Sequence, residues 1–397
     1  MLIQFMCKNF LSFKGETVLD MSAVNAYKEH SNNLIDVGSG EKYLKVLAIY
    51  GANASGKTNL FLAFKTFQEI IRESFDSVSG DEYKAIQRNY QPFEFTENKE
   101  NTEFEIIFTM DEFEYKYGFE YNDIEVVNEW LYRKNNETKR YSEIYERSKN
   151  KTKFGPLAKK EGDRYGELVP QEALILSVFG KLKIKNMIFS EVYSEIMETF
   201  AVDTGHFDDF YISEKILPRV IESDKRSLLR FLDAIDTGIT DISYKEEGDG
   251  VEIFTWHVDE KGRQYSIPLQ LESHGTIKSI NIYIHAKVAI KNNKSLFIDE
   301  LNAKLHPLLL KFIIDLFYTE TSRAQLIYTT HDTTLLRKEF FRRDQVYFVQ
   351  KNTFGQSKLN ALSDYKVRND SSFEKDYLAG VYGGIPLLKD IWLKEGD

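Results

Sequence analysis

The sequence predicts an α/β protein with a parallel sheet built on a glycine-rich loop, an antiparallel β-meander subdomain and an inserted helical lobe. Three observations predict it. A short apolar run, a glycine loop and an amphipathic segment follow one another between Val46 and Phe75. Residues 103–147 alternate apolar and polar positions with the period of half-buried strands. The last third of the chain alternates helical and strand patterns, which implies a parallel sheet.

Taken in order, the first twenty residues read as two short strands, near Leu2–Met6 and Thr17–Leu19, joined by Asn9-Phe10-Leu11-Ser12-Phe13-Lys14-Gly15. Residues 22–43 are polar and read as a loop. Val46-Leu47-Ala48-Ile49-Tyr50 is apolar and partly β-branched, the mark of a buried strand, and the run from Asn59 through Ile70, Ile71 and Phe75 has helical spacing. Residues 79–101 are polar. The meander strands are expected around Phe104–Phe108, Phe113–Phe119 and Val127–Tyr132. Residues 147–165 are lysine-rich and carry neither period. From about 170 to 235 the pattern is helical, and strands return near 240–269. Then come a helix (about 276–291), a strand (Ser295–Ile298), a helix (about 307–318), a strand (Gln325–Tyr328), a helix and a strand (Gln345–Val349). The expected division is residues 1–147 and 239–397 as two parts of one head, with 148–238 as the inserted helical lobe.

The chain has 397 residues, 42% hydrophobic and 29% charged, as a globular protein of one large or two smaller domains does. No apolar run approaches the roughly 20 residues of a membrane helix, and Met1-Leu2-Ile3-Gln4-Phe5 lacks the features of a signal peptide. Cys7 is the only cysteine, which excludes an internal disulfide framework and fits a reducing cytoplasm. The formal net charge is −10, so the overall field does not favour nucleic acid, although a local patch can still grip it. One candidate patch is Arg147, Lys149, Lys151, Lys153, Lys159, Lys160 and Arg164; a solvated loop is the favoured reading of it. His206, His257 and His285 show no metal-ligand spacing and are expected to be structural.

Gly51-Ala52-Asn53-Ala54-Ser55-Gly56-Lys57-Thr58 fits G-x-x-x-x-G-K-[ST], with a strand before and a helix after it. Such a loop curls its N–H groups round a phosphate chain at a helix N-terminus. Nucleotide contacts are therefore expected on Gly51, Asn53, Ala54, Ser55, Gly56, Lys57, Thr58 and Asn59, with Lys57 on the β- and γ-phosphates and the Thr58 hydroxyl on Mg²⁺. Ser295-Leu296-Phe297-Ile298-Asp299-Glu300 is a Walker B pattern: Asp299 for Mg²⁺ and Glu300 to polarise the attacking water. The strand ending in Thr329-Thr330-His331 offers His331 to the γ-phosphate. Ser273-His274-Gly275, leading into a helix, reads equally as a further phosphate-binding turn or as a plain N-cap.

This order of motifs resembles the ABC/SMC-like ATPases. The chain is similar to bacterial ATP-binding proteins filed as AAA-type but built on an ABC-type head: RloA-like and abortive-infection ATPases, relatives of the OLD, PtuA and AriA phage-defence proteins. The likeness includes Asn9–Phe13, Tyr50–Asn59, Tyr117–Glu120, Glu129–Tyr132, Asp236–Ile239, Asp299–Pro307, Thr330–Asp332 and Tyr377–Pro386. It implies an ABC-type ATPase head using ATP and Mg²⁺, with Ser273 and Gly275 completing the site of a second subunit in a head-to-tail dimer. Asn302 to Leu305 would communicate across that interface. His274 and Asn302 depart from the small residue and the Asp that many relatives carry there. Gln91 and Gln171 are both candidates for the Mg²⁺-sensing glutamine.

The function expected from this resemblance is a cytoplasmic ATPase switch of an anti-phage, abortive-infection system. It would act through homo-oligomer assembly on a separately encoded effector, a nuclease being the expected kind. The segment after His331 is shorter than the Toprim nuclease module that OLD proteins carry. The alternative is an SMC- or RecF-like DNA-repair clamp; a transporter subunit is a weaker third, set back by the large gap between Gly51 and Gly275.

Overall fold

The computed structural model describes residues 1–38, 40–78, 84–135, 138–149, 151–182, 187–203, 210–248, 250–303, 305–319, 321–367 and 371–385. His206, Lys304 and Pro386, each named in the sequence reading, lie outside them. In chain order the elements begin with β1 (Leu2–Lys8), β2 (Thr17–Asp20), β3 (Leu34–Asp36), β4 (Lys42–Leu44), β5 (Val46–Tyr50), α1 (Lys57–Glu73) and α2 (Ala85–Arg88). The meander follows as β6 (Thr102–Met110), β7 (Phe113–Tyr121), β8 (Val126–Asn135), β9 (Tyr141–Ser148) and β10 (Lys151–Phe154). Next come α3 (Lys159–Tyr165), α4 (Ile175–Lys181), α5 (Met187–Thr199), β11 (Phe200–Asp203) and α6 (Phe210–Ala234). A small sheet is made by β12 (Asp241–Glu247), β13 (Gly250–Val258) and β14 (Gln264–Pro268). The chain then runs through α7 (His274–Lys291), β15 (Ser295–Ile298), α8 (Pro307–Thr319), β16 (Gln325–Thr330), β17 (Val346–Lys351), β18 (Ser357–Ala361) and α9 (Phe373–Leu378).

Two large sheets share α1 as their common filling. The first is antiparallel, ordered β10-β9-β8-β7-β6-β1-β2; the second is ordered β11-β15-β16-β5-β17-β18 and is parallel except for its β17–β18 hairpin. Helix α1 is aromatic on both flanks, and each flank meets a different sheet. Phe64 lies 4.7 Å (ring centroids) from Phe5 of β1 and 4.4 Å from Phe297 of β15, and Phe67 stacks on Phe119 of β7 at 5.6 Å. Helices α7 and α8 cover the opposite face of the parallel sheet, packing Ile282, Ala286, Leu310 and Ile314 against Val46, Ala48, Leu296 and Leu326. With both faces covered, every residue of β5, β15 and β16 is buried, so β5 reads as a continuous apolar run and none of the three alternates in burial.

The structure differs from the sequence expectation in four places. The expected loop 22–43 contains most of a hairpin, β3–β4, whose short strands carry too few residues to show a period. The lysine-rich 147–165 stretch forms β10 and α3. Within the expected helical run, Phe200-Ala201-Val202-Asp203 becomes an edge strand paired in parallel with β15; a short apolar run after a helix does not reveal its own type. The helix expected between Asp332 and Gln345 is absent. Asp332 Oδ1 accepts the Thr334 N–H at 2.8 Å, a local turn bond that competes with helix, and Leu335, Leu336 and Phe341 reach the core from turns. Segment 148–238 contributes α4 and α5 to the core around α1 and β11 to the parallel sheet. Residues 217–232 of α6 pack instead with α7 and the small sheet. Among the described residues no helix is long and apolar enough to cross a membrane.

Candidate functional site

The parallel strands β15, β16, β5 and β17 all end at one edge of their sheet, the edge where ligands bind in open α/β folds. At that edge the loop after β5 turns into α1. Gly56 caps the helix at φ 111°, a left-handed position suited to glycine, and a Cβ there would sit 2.5 Å from Ser357 Oγ and 2.8 Å from Ser12 Oγ. Two non-glycine residues of the site, Ala54 (φ 61°) and Glu300 (φ 48°), are also left-handed. Backbone strain of this kind persists only where surrounding structure enforces it.

The loop encloses one side of an open cavity of about 300 Å³, lined by Asn53, Ala54, Ser55, Gly56, Lys57, Thr58 and Asn59, with Glu300 and Lys351 completing the wall. Lys57 is 5% exposed, and its ammonium donates to the carbonyls of Gly51 (2.8 Å) and Ala52 (3.1 Å). Burial lowers the Lys57 pKa from the usual lysine range, and the charges of Glu300 and Asp299 oppose that shift. The Ser55 hydroxyl is buried with no hydrogen-bond partner among the described residues. An orphaned polar atom in a phosphate loop matches a site shaped for a polar occupant.

Thr58 and Asp299 meet directly. Thr58 Oγ1 donates to Asp299 Oδ2 at 2.7 Å, and the other carboxylate oxygen, Oδ1, accepts from the Thr329 hydroxyl. Thr329 in turn accepts the Glu300 N–H at 2.7 Å, so one buried hydroxyl sets both acids. Among the described residues there is no cluster of three or more His, Cys, Asp or Glu that could hold a metal ion. The oxygen pair of Thr58 and Asp299 suits Mg²⁺, which takes one or two protein oxygens and completes its shell with water and phosphate.

His331 lies at the end of β16, whose Thr330 pairs with Tyr50 of β5. Its Nε2 faces Asn302 Nδ2 at 3.3 Å, and Asn302 Oδ1 accepts from Thr330 Oγ1 at 2.8 Å. The histidine is thus tied to the loop after β15 rather than forming part of the cavity wall. Ser273 caps α7, accepting from Thr276 N at 3.0 Å, and Ser273 and His274 are exposed. Ser273 and Gly275 do not line the cavity of their own chain. Helix α7 still touches the site from behind, because the Lys278 ammonium donates to the Glu300 carbonyl at 3.3 Å.

Three contributors escape a motif reading. Thr329 is one. Another is a clamp in which Asn59 Nδ2 donates to Ser12 Oγ (2.8 Å), Ser357 Oγ lies 2.8 Å from Ser12 Oγ, and Ser357 donates to the Ser55 carbonyl (2.6 Å). Ser12 and Ser357 are too far apart in sequence to form a pattern. The third is Lys351, at the end of β17. Gln91 belongs to the same region, its carbonyl accepting the Leu11 N–H at 2.8 Å beside Ser12. The Gln171 carbonyl instead accepts from Val126 N and Arg147, at the meander.

The candidate basic patch is partly spent on structure. Arg147 is buried and donates to the carbonyls of Ala173, Gln171 and Pro170, while Lys153 and Lys159 pair with Glu143 and Asp163. His257 Nε2 donates to the Glu272 carboxylate at 2.7 Å, and His285 sits in α7, where burial lowers its pKa to about 4.

The model of a family described as "AAA domain, putative AbiEii toxin, Type IV TA system" matches residues 46–337. No curated protein matches the sequence. Among solved structures, the chain is similar to an SMC head bound to the C-winged helix domain of ScpA, at 15% identity and TM-score 0.43, over 95% of this chain and 99% of that one. It is also similar to an SMC head domain from Thermotoga maritima, at 15% identity and TM-score 0.40, over 91% of this chain and 98% of that one.

Proposed function

We propose that this chain, which belongs to the AAA-domain family matched over residues 46–337, is an ATP-hydrolysing switch of ABC type whose cycle makes and breaks an assembly with its own copies. The observation that carries the reading is the convergence of Lys57, Thr58 and Glu300 on one cavity, with Asp299 bonded to Thr58 behind it.

In this reading Lys57 exchanges the carbonyls of Gly51 and Ala52 for the β- and γ-phosphates, and the N–H groups of the loop hold the chain. Thr58 and Asp299 hold Mg²⁺, which supplies positive charge to the phosphate oxygens. Glu300 polarises the attacking water and takes its proton. His331 donates toward the γ-phosphate when Asn302 releases it, so the loop bearing Asn302 reports the state of the site. Gln91, on the Ser12 side of the site, is preferred to Gln171 as the Mg²⁺-sensing glutamine. Exposed Ser273 and half-buried Gly275, both away from their own cavity, complete the site of a second copy. ATP then bridges two subunits only when they are closed, and its binding energy shifts the open–closed equilibrium.

The abortive-infection role rests on the family's AbiEii-type description and on the resemblance to phage-defence ATPases. A separately encoded effector, a nuclease being the expected kind, would read the closed assembly. The DNA-repair clamp is the lesser reading, because three of the seven candidate cations are occupied by bonds within the chain. The test uses the Glu300→Gln protein with ATP and Mg²⁺, assayed for duplex DNA binding at near-physiological salt with an ATP-free control. No DNA binding is expected. ATP-dependent DNA binding would replace the switch by the clamp.

A further inference from the structure

The geometry points to Lys351 as a second phosphate-binding cation, one that serves the diphosphate part of the nucleotide that ATP and ADP share. The inference rests on the ATPase reading and extends it to a residue outside every nucleotide motif.

Lys351 lines the cavity together with the loop residues and Glu300. It is exposed, and its ammonium has no hydrogen-bond or ion-pair partner among the described residues. Lys57, by contrast, already has two carbonyls as acceptors. An unpaired cation facing a phosphate-shaped cavity is free to bind an anion without first losing a partner.

The position of Lys351 is fixed by backbone pairing. Strand β17 pairs in parallel with β5 through Val346↔Ala48, Tyr347↔Ile49 and Phe348↔Tyr50. Continuing that register carries Val349 alongside Gly51, where a Cβ on Gly51 would meet the Val349 carbonyl at 2.7 Å. In the hairpin with β18, Lys351 is the cross-strand partner of Ser357. Directly opposite residues project to the same face of a pair, and the Ser357 hydroxyl donates to the Ser55 carbonyl of the phosphate loop at 2.6 Å. The Lys351 side chain therefore leaves its strand on the face that holds the loop. The turn beyond it is braced by Asn352, whose Oδ1 accepts from the N–H groups of Phe354 and Gln356, both at 2.9 Å.

Strand order decides which phosphate it serves. Glu300 follows β15, two strand spacings from β5 on one side, and Lys351 ends β17, one spacing away on the other. At about 4.8 Å per spacing, the two residues flank the loop from opposite sides. The γ-phosphate must lie toward Glu300, where water attacks. Lys351 then reaches the part of the chain that remains after hydrolysis, and it contributes to binding more than to the chemical step.

The test measures ATP and ADP affinity of Lys351→Ala and Lys351→Arg by calorimetry, beside the parental protein and Lys57→Ala, with thermal melts as a check on folding. Loss of one charge-assisted bond predicts roughly tenfold weaker binding of both nucleotides by Lys351→Ala, about 1.4 kcal/mol, with most of it recovered in Lys351→Arg. Parental affinity in Lys351→Ala overturns the inference while leaving the ATPase reading intact. A loss confined to ATP overturns the assignment to the shared diphosphate. A parental protein that binds neither nucleotide, or a Lys57→Ala variant that binds as the parent does, refutes the ATPase reading and this inference with it.

Discussion

Thr329→Val removes one oxygen and leaves the side-chain shape nearly unchanged, yet it touches both acidic groups of the site. The Thr329 hydroxyl donates to Asp299 Oδ1 and accepts the Glu300 N–H at 2.7 Å, and the residue is fully buried. A hydrogen bond to a charged group contributes about 1.5–3 kcal/mol, and an orphaned N–H costs about 1–3 kcal/mol more. The sum, about 2.5–6 kcal/mol, divides between fold stability and the placement of the two carboxylates. Lys57 and the phosphate loop make no bond to Thr329. The expected outcome is a lower melting temperature, ATP affinity within about threefold of the parent, and turnover at saturating ATP reduced by at least about tenfold. Thr329→Ser, which keeps the hydroxyl, recovers most of the turnover. The assay is steady-state phosphate release across a Mg²⁺ titration, paired with equilibrium nucleotide binding. Parental turnover in Thr329→Val would refute the claim that this hydroxyl sets Asp299 and Glu300 for catalysis.

Three further outcomes follow from the geometry. Lys57→Ala abolishes measurable ATP binding while the circular dichroism spectrum stays parental; retained affinity refutes the assignment of the phosphate loop. Gly56→Ala places a methyl group within 3 Å of two serine hydroxyls at φ 111°, so it destabilises the protein by about 2–4 kcal/mol in denaturant unfolding, and an unchanged midpoint contradicts the clamp of Ser12 and Ser357. Burial holds His285 at a pKa of about 4 against 6.5 for the free side chain. Between those values the unfolded chain binds a proton that the folded chain refuses, so stability falls as pH drops from 6.5 toward 4. Replacing His285 by Gln flattens that segment of the melting-temperature profile, and a profile of unchanged slope shows that His285 does not drive it.

The parts of the site legible in the sequence are the local ones. A phosphate loop is contiguous, its strand is apolar because helices cover both faces of the sheet, and Asp299-Glu300 ends a strand of the same kind. Lys57, Thr58, Asp299 and Glu300 could be named from spacing because each sits within a few residues of a strand end. Thr329 lies inside a motif whose chemistry points to its histidine, and only the fold gives the Thr329 hydroxyl a role. Ser357 and Lys351 belong to no motif, and Ser12 lies in the Asn9–Phe13 stretch, which by itself gives its hydroxyl no role; Ser357 and Lys351 reach the site because β18 is the hairpin partner of β17 and β17 lies beside β5. The fold divides in the same way. Strand β6 alternates with a clean period because one face packs on α1, whereas β11 has four residues and follows a helix without a break, so its apolar pattern reads as more helix. The helix expected after His331 failed because Asp332, Thr333 and Thr334 form local turn bonds that the hydrophobic spacing of Leu335, Leu336, Phe340 and Phe341 does not register.

The turn at Ser273–Gly275, with Ser273 and His274 exposed, makes the switch intermolecular. The mass of the Glu300→Gln protein is measured in solution by sedimentation or light scattering, with and without ATP and Mg²⁺. Nucleotide is expected to convert the protein to an assembly of at least twice the subunit mass, and Ser273→Arg in the same background to bind ATP but not assemble. A mass that is independent of ATP in the Glu300→Gln protein, with ATP bound, would contradict the intermolecular switch.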